Sequence, residues 1–376
     1  MGLVMQQYPK VHQSKLEMHC EMVTANLIQQ VQSDSAVLVG YTRCNGSVRA
    51  KRYSNLNYRG YYLKMIVDVL VEHGYVVNHN GEWNSSDQTK GYQSRIQINQ
   101  KLVDYVGTNH YYHRRLKYKE LIRLKDHYKK LINYTDSELT NGMRKKLKSV
   151  NELITRHKFS VSGYGWVDLS KCEIYRVFNG NFHNGGRFYG GWWINLPSEI
   201  RKRIHVDGNP MVELDYGAHH IHLLYGKIGS VCPEEPYLLS DQDPKLRPLM
   251  KMVNLIGICA KNRYVAISEI EKAAKQLELD GEIVQPPDLN CEEVLEQFID
   301  MHEPIKDYYC SGVATELQNL DSRIAEYVLM ELREREIVCL PVHDSFIVMV
   351  EHQDTLKQVM EEAPLALGLD YVPPID

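Results

Sequence analysis

The sequence predicts an α+β chain, and three observations carry that prediction. Helix-periodic segments fill much of residues 1–157. An apolar strand at Met211–Leu214 ends in Asp215 and runs into a helix bearing Ile221, Leu223 and Leu224. Two apolar runs within residues 337–350 flank a His-Asp-Ser break, which reads as a β-hairpin with Asp344 at its tip.

The chain has 376 residues, enough for two or three domains, and 43% hydrophobic residues, enough for a substantial core. No apolar run reaches the 18 residues of a membrane span. The N-terminus carries no apolar leader, and Gln6 stands where an N-myristoylation signal requires Ser or Thr. Eight cysteines without a CxxC pair read as reduced thiols, with no structural zinc, in a cytoplasmic protein (the host cytoplasm if the gene is a phage's). The net charge of −4 conceals an asymmetry. Residues 41–160 hold 23 Lys and Arg against 10 Asp and Glu, whereas residues 226–376 hold 13 against 29. That balance suggests one surface for a polyanion and another that gathers cations.

Residues 1–40 read as helical. The stretch 39–60 interleaves cations with tyrosines, a composition suited to phosphate contact and base stacking. Residues 61–73 fit a helix with Leu63, Ile66, Val67, Leu70 and Val71 on one face, stopped by Gly74. Two short strands about a His79–Asn80–Gly81 turn, ending near Trp83, would complete a winged-helix shape. Residues 111–132 read as a basic helix. Residues 135–157 read as another, with Thr135 or Asp136 as N-cap and Glu138 in its first turn, and the two could pair along a duplex. A boundary is expected near residue 160, where glycines and small polar residues interrupt the helices.

Chemistry concentrates further on. A carboxylate closing an apolar strand is costly unless it is paired or holds a metal, which singles out Asp215. Set beside it by the hairpin, Asp344 would complete a two-carboxylate site able to hold two Mg²⁺ ions, with Mn²⁺ able to replace them. In the segment Asp243–Ala260, Arg247 and Lys251 lie four apart on a predicted helix face, with Pro248 in its first turn. That spacing suits a triphosphate.

In order and spacing these segments resemble motifs A, B and C of the family A DNA polymerases and the related single-subunit phage RNA polymerases. Leu214-Asp215-Tyr216-Gly217 matches motif A. Arg247 and Lys251, with Asn254, match motif B. His343-Asp344-Ser345 matches motif C. Gly186-Arg187, Asn195-Leu196-Pro197 and Gln318 match further elements of the family, so the resemblance covers residues 185–352. It implies a right-hand fold: a palm of antiparallel sheet plus helices, small helical fingers and a basic, mainly helical N-terminal region. The implied division is a thumb-like nucleic-acid-binding region at 1–160, palm with motif A at 161–229, reduced fingers at 230–315 and palm with motif C at 316–376, with no attached exonuclease. Asp215 and Asp344, helped by a backbone carbonyl near Tyr216, would bind the metal ions. Arg247 and Lys251 would hold the triphosphate, and Arg187, Asn195, Gln318 and His343 would touch the nucleic acid.

The implied reaction is extension of a 3′-hydroxyl with nucleoside triphosphates on a DNA or RNA primer–template. DNA-directed DNA synthesis is favoured over RNA or primer synthesis and over template-independent addition. The sugar and base region departs from the family: His220 replaces a Glu, Leu255 an aromatic, and Cys259-Ala260 a Tyr-Gly. Ser345 leans toward the RNA enzymes. Trp192 and Trp193 read as core residues and His343 as a support. Two other readings stand on the residues alone: a phosphoesterase using His219, His220 and His222 with Asp215, His343 and Asp344, and a binding module without catalysis.

Overall fold

The computed structural model describes residues 2–33, 38–41, 51–53, 60–81, 94–107, 118–163, 167, 169, 171–238, 244–284, 286, 289–370 and 372–376. Its contacts divide the chain into two compact units. One comprises residues 1–120 and 163–172, the other residues 121–162 and 173–376. The division thus falls at residue 121 rather than near residue 160. Residues 121–162 group with the second unit because their strands pair there.

In the first unit, α1 (Gly2–Gln7), α2 (Gln13–Ser33), α3 (Gly60–Glu72) and α4 (Gln100–Gly107) accompany an antiparallel sheet of β1 (Val39–Gly40), β2 (Val76–His79) and β3 (Arg95–Ile98), in the order β1-β3-β2. Leu16, Leu63, Ile66, Val67, Val76 and Ile96 lie in its core. The face of α3 is rotated from the expected one: Tyr62 and Val69 are buried, while Val71 is 40% exposed. β2 pairs with Arg95–Ile98, and the segment directly after Gly81, where the second strand of the hairpin was expected, lies outside the described residues. Trp83 and most of residues 39–60 lie outside the described residues.

The second unit opens with β4 (Ile122–Lys125) and β5 (Leu131–Ile132), where a helix over 111–132 was expected; residues 111–117 lie outside the described ones. Ile122 and Leu124 are buried while Arg123 and Lys125 are half-buried, a period of two that fits a strand. Asp126 makes the turn, its Oδ1 accepting from Tyr128 N and Lys130 N at 2.9 Å each, with Lys129 left-handed at φ 62°. The helix α5 (Glu138–Arg156) forms as expected, but its cap is Ser137. The Ser137 side chain accepts from Thr140 N, and Thr140 Oγ1 accepts from Ser137 N at 2.9 Å. With 121–132 in strands, the expected helical hairpin does not form.

After β6 (Phe159–Val161) come β7 (Tyr175–Asn179) and β8 (Asn181–Tyr189), which join β4 and β5 in a sheet ordered β5-β4-β7-β8. Next are α6 (Ser198–Arg201), β9 (Ile204–Val206), β10 (Asn209–Asp215) and α7 (His219–Lys227). A run of helices follows: α8 (Arg247–Cys259), α9 (Arg263–Leu279), α10 (Cys291–Met301) and α11 (Ala314–Glu334). The hairpin of β11 (Leu340–Val342) and β12 (Ser345–Met349) and the helix α12 (Gln353–Ala366) close the unit. The second sheet, ordered β11-β12-β10-β9-β6, is antiparallel throughout. Leu317, Ile324, Val328, Phe346, Val348, Leu356, Val359 and Met360 are at most 1% exposed and form the core of this unit. An apolar side chain so removed from water contributes about 1.5–3 kcal/mol. The architecture is therefore α+β with largely antiparallel sheets. No helix among the described residues is long and apolar enough to cross a membrane.

Candidate active site

Sheet register brings Asp215 and Asp344 together. β10 and β12 pair from Met211↔Met349 to Asp215↔Ser345, so Asp215 ends its strand beside the β11–β12 turn. That turn has two residues, because Val342 pairs with Ser345. His343 occupies its first position at φ 58°, the left-handed conformation that tight hairpins demand, and Asp344 its second. Tyr216 N donates to Asp344 O at 3.4 Å, tying the two segments through the backbone. Glu213 locks the ladder beneath: Arg201 grips it with two hydrogen bonds of 2.8 Å, and Ser345 Oγ donates to it at 2.6 Å. Ser345 therefore serves the sheet rather than the site.

The two aspartates open into a cavity of 490 Å³ that Tyr216, His220, Arg247, Lys251 and Leu255 also line. Arg247 and Lys251 project from the first turns of α8, with Pro248 in the first turn as expected. They share the ring of Tyr237, at 5.6 and 5.9 Å from its centroid. Glu235 sits 3.5 Å from Arg247 in an exposed pair. The lining thus combines Asp215, Asp344, Glu234 and Glu235 with the cations Arg247 and Lys251. Partial burial and the charges of Asp344, Asp376 and Glu213 push the Asp215 carboxyl above its ordinary range.

Asp376 is a residue that the strand and helix patterns do not reveal. It lines the same cavity, and its backbone exchanges two hydrogen bonds with Asp215, at 3.0 and 3.2 Å. Gly217 N donates to Pro374 O at 2.8 Å, so residues 374–376 run antiparallel to the end of β10. Cross-strand partners of this kind place their side chains on one face of the sheet. A short proline-rich segment such as 372–376 carries no periodicity that would have foretold the pairing.

Arg187 does not line the cavity; it holds a residue that does. Its Nη2 lies 2.9 Å from His220 Nε2 and its Nε donates to Asp321 Oδ2 at 2.7 Å. Because a guanidinium only donates, His220 Nε2 is the acceptor and the imidazole carries its proton on Nδ1. Burial is the main cause that pushes His220 down to about 4, and the Arg187 charge adds to it. Asp321 is 1% exposed and also lies 3.3 Å from His219 Nε2. Burial works to raise Asp321, but His219, Arg187 and His220 together outweigh it and hold the carboxyl well below the usual range. A charge on the apolar stripe of an amphipathic helix, between Leu317 and Ile324, was the sequence signal for this residue.

His343, Asn195, Gln318 and Cys259 lie apart from the cavity lining, whereas His219, His222 and Asn254 belong to it. His343 makes a T-shaped ring contact with Tyr189, with centroids 5.8 Å apart. Asn195 is exposed at the end of a short 3₁₀ turn, and Gln318 is half-buried in the first turns of α11. Cys259 is exposed at the end of α8. Trp192 and Trp193 are core residues at 6% and 0% exposure. His219, His220 and His222 all line the cavity but meet different neighbours: His219 stacks on Tyr216 at 4.8 Å, His220 meets Arg187, and His222 is buried on α7. Among the described residues no three or more His, Cys, Asp and Glu come close enough to hold a metal ion together.

No family model and no curated protein matches the chain. Among solved structures, the POL domain of Pol1 from M. smegmatis, in complex with DNA primer-template and dNTP, matches at 15% identity and a TM-score of 0.38. The match covers 63% of this chain and 51% of that one, so the chain spans about half the length of that polymerase domain.

Proposed function

We propose that the chain is a nucleotidyltransferase that extends a 3′-hydroxyl with nucleoside triphosphates on a primer–template. The observation that carries the reading is one cavity in which Asp215 and Asp344 face Arg247 and Lys251. This is the charge pattern that attack of a hydroxyl on a triphosphate needs. The carboxylates would serve the attacking group, and the cations would offset the negative charge that accumulates on the departing pyrophosphate.

The donor set suits Mg²⁺. It is all oxygen, it carries uncompensated negative charge, and Mg²⁺ binds through one or two carboxylates plus waters and substrate phosphates rather than in an all-protein cage. Asp215 and Asp344 would hold it, with backbone near Tyr216. When bound, the ion lowers the cost of ionising the attacking hydroxyl and of charging the leaving group. Arg247 and Lys251, braced on Tyr237, bind and orient the β- and γ-phosphates. His220, fixed through Nε2 by Arg187, directs an Nδ1–H donor. Arg187, with Asn195, Gln318 and His343, serves the primer–template. In this reading the two antiparallel-sheet segments form the palm, α8–α10 the fingers, and the basic first unit a template-binding region.

DNA synthesis is the favoured activity and RNA synthesis the alternative. Labelled primer–template incubated with dNTPs or NTPs and Mg²⁺ tests both. Extension that vanishes in Asp344→Ala, with binding of the oligonucleotide retained, supports the proposal. The absence of extension with every primer, template and nucleotide set overturns it.

A further inference from the structure

We propose that Tyr189 is a stacking platform for the terminal base of the strand being extended. The inference rests on the polymerase reading for the identity of that strand and on separate geometry for the platform.

Tyr189 ends β8 and is 37% exposed. Its cross-strand partner is Tyr175, and the two rings stack with centroids 6.3 Å apart and planes 28° apart. Behind Tyr175 lies Arg123, whose guanidinium carbon is 3.3 Å from the ring centroid. Lys125, two residues along β4 from Arg123, puts a second cation on the same face of the sheet. Tyr175 is held tightly: a Cβ on Gly190, at φ +108°, would come within 2.7 Å of its ring. The platform is thus built before any ligand arrives, which lowers the cost of ordering it.

Its position ties it to the cavity. The rings of Tyr189 and His343 meet in a T-shaped contact, and the next residue in that turn, Asp344, lines the cavity. Arg187, two residues before Tyr189 and on the same side of β8, contacts His220, which also lines it. The row Arg123, Tyr175, Tyr189, His343 therefore ends beside the carboxylates, where a 3′-hydroxyl must lie for the proposed reaction. Aromatic rings interleaved with cations bind nucleic acid through base stacking and phosphate attraction. A nucleobase at the strand's end, unstacked on one side, has a π-face to offer.

The test uses the full chain with a primer–template carrying 2-aminopurine at the primer 3′ end, in EDTA and without nucleotide, so that turnover plays no part. Binding to the wild type should quench the 2-aminopurine emission. Tyr189→Leu, which keeps bulk and removes the π-face, should lose the quenching and weaken binding by at least about fivefold, the lower end expected for one base on one aromatic ring. Tyr189→Phe and Tyr189→Trp should restore both. Unchanged quenching and affinity in Tyr189→Leu overturns the proposal, as does weakened binding with quenching intact. If Tyr189→Leu melts at a lower temperature, Tyr189→Phe against Tyr189→Trp decides: the platform predicts quenching in both, and quenching in neither overturns it. Extension by the wild type, assayed in parallel with Mg²⁺ and triphosphates, judges the reaction separately. Its failure leaves the stacking result standing on its own.

Discussion

Removing the carboxylate of Asp321 should destabilise the second unit by about 3 kcal/mol. Asp321→Ala strips a buried anion from two partners at once, Arg187 Nε at 2.7 Å and His219 Nε2 at 3.3 Å. A charge-assisted hydrogen bond contributes roughly 1.5–3 kcal/mol, and breaking one side of a buried pair costs roughly 3–5 kcal/mol because the remaining charge is stranded. The Arg187 side chain keeps 18% exposure and its contact with His220, which places the loss at the lower end. The dependence on pH has a definite sign. The folded carboxyl titrates below its unfolded value, so its contribution is fully present above about pH 4 and fades only as the pH falls through the depressed folded value. Urea unfolding of wild type and variant at pH 7, 5 and 3 measures the difference. A gap of less than about 1 kcal/mol at pH 7, or one that already shrinks between pH 7 and 5, would refute the reasoning.

Three further outcomes follow from named contacts. Gly186→Ala should cost more than about 2 kcal/mol in the same urea assay, since φ is +97° there and the new Cβ would stand 2.7 Å from both the Phe178 ring and Ser322 Oγ; a neutral result contradicts the tight β8–α11 packing. The second unit should lose stability steadily as the pH falls from about 6.5 toward 4, because His220, His222 and His302 are each pushed down to about 4, mainly by burial, so that the unfolded chain binds more protons in that window; thermal melts across it give the slope, and a flat profile argues against neutral buried imidazoles. Asp376→Asn removes one of the like charges facing Asp215 and should lower the pKa of the Asp215 carboxyl, observable by carbon-detected NMR titration; an unmoved titration would show that the two carboxylates do not sense each other.

The parts of this molecule that could be read from its sequence are those governed by local rules. The strand Met211–Asp215, the hairpin about His343–Asp344 and the helix opening at Arg247-Pro248 each announce themselves through apolar periodicity and turn or cap chemistry. Residues 118–132 misled because their leucines and isoleucines suit a helical face as well as an alternating one; the choice was made by β7, 50 residues away, which pairs with β4 in parallel. The cap of α5 shifted by one residue because Ser137 and Thr140 satisfy each other's backbone, which Asp136 does not. Within the candidate site, Asp215, His220, Arg247, Lys251 and Asp344 were found because they sit in short ordered motifs. Asp376 and Tyr237 were not, since each owes its place to a tertiary contact that no spacing encodes.

The separation of Asp215 and Asp344 is fixed by a backbone ladder and a two-residue turn, with no side-chain hydrogen bond to either acid among the described residues. Such a site answers differently to two kinds of genetic change. Point replacements along the outward positions of β10 and β12 leave the rungs in place and the acids at their stations. Adding or deleting a single residue between Met211 and Asp215 moves every rung by one and turns the acid to the opposite side of the sheet. The geometry is therefore tolerant of spelling and intolerant of length, and a library of substitutions set against a library of single-codon insertions would display the contrast directly.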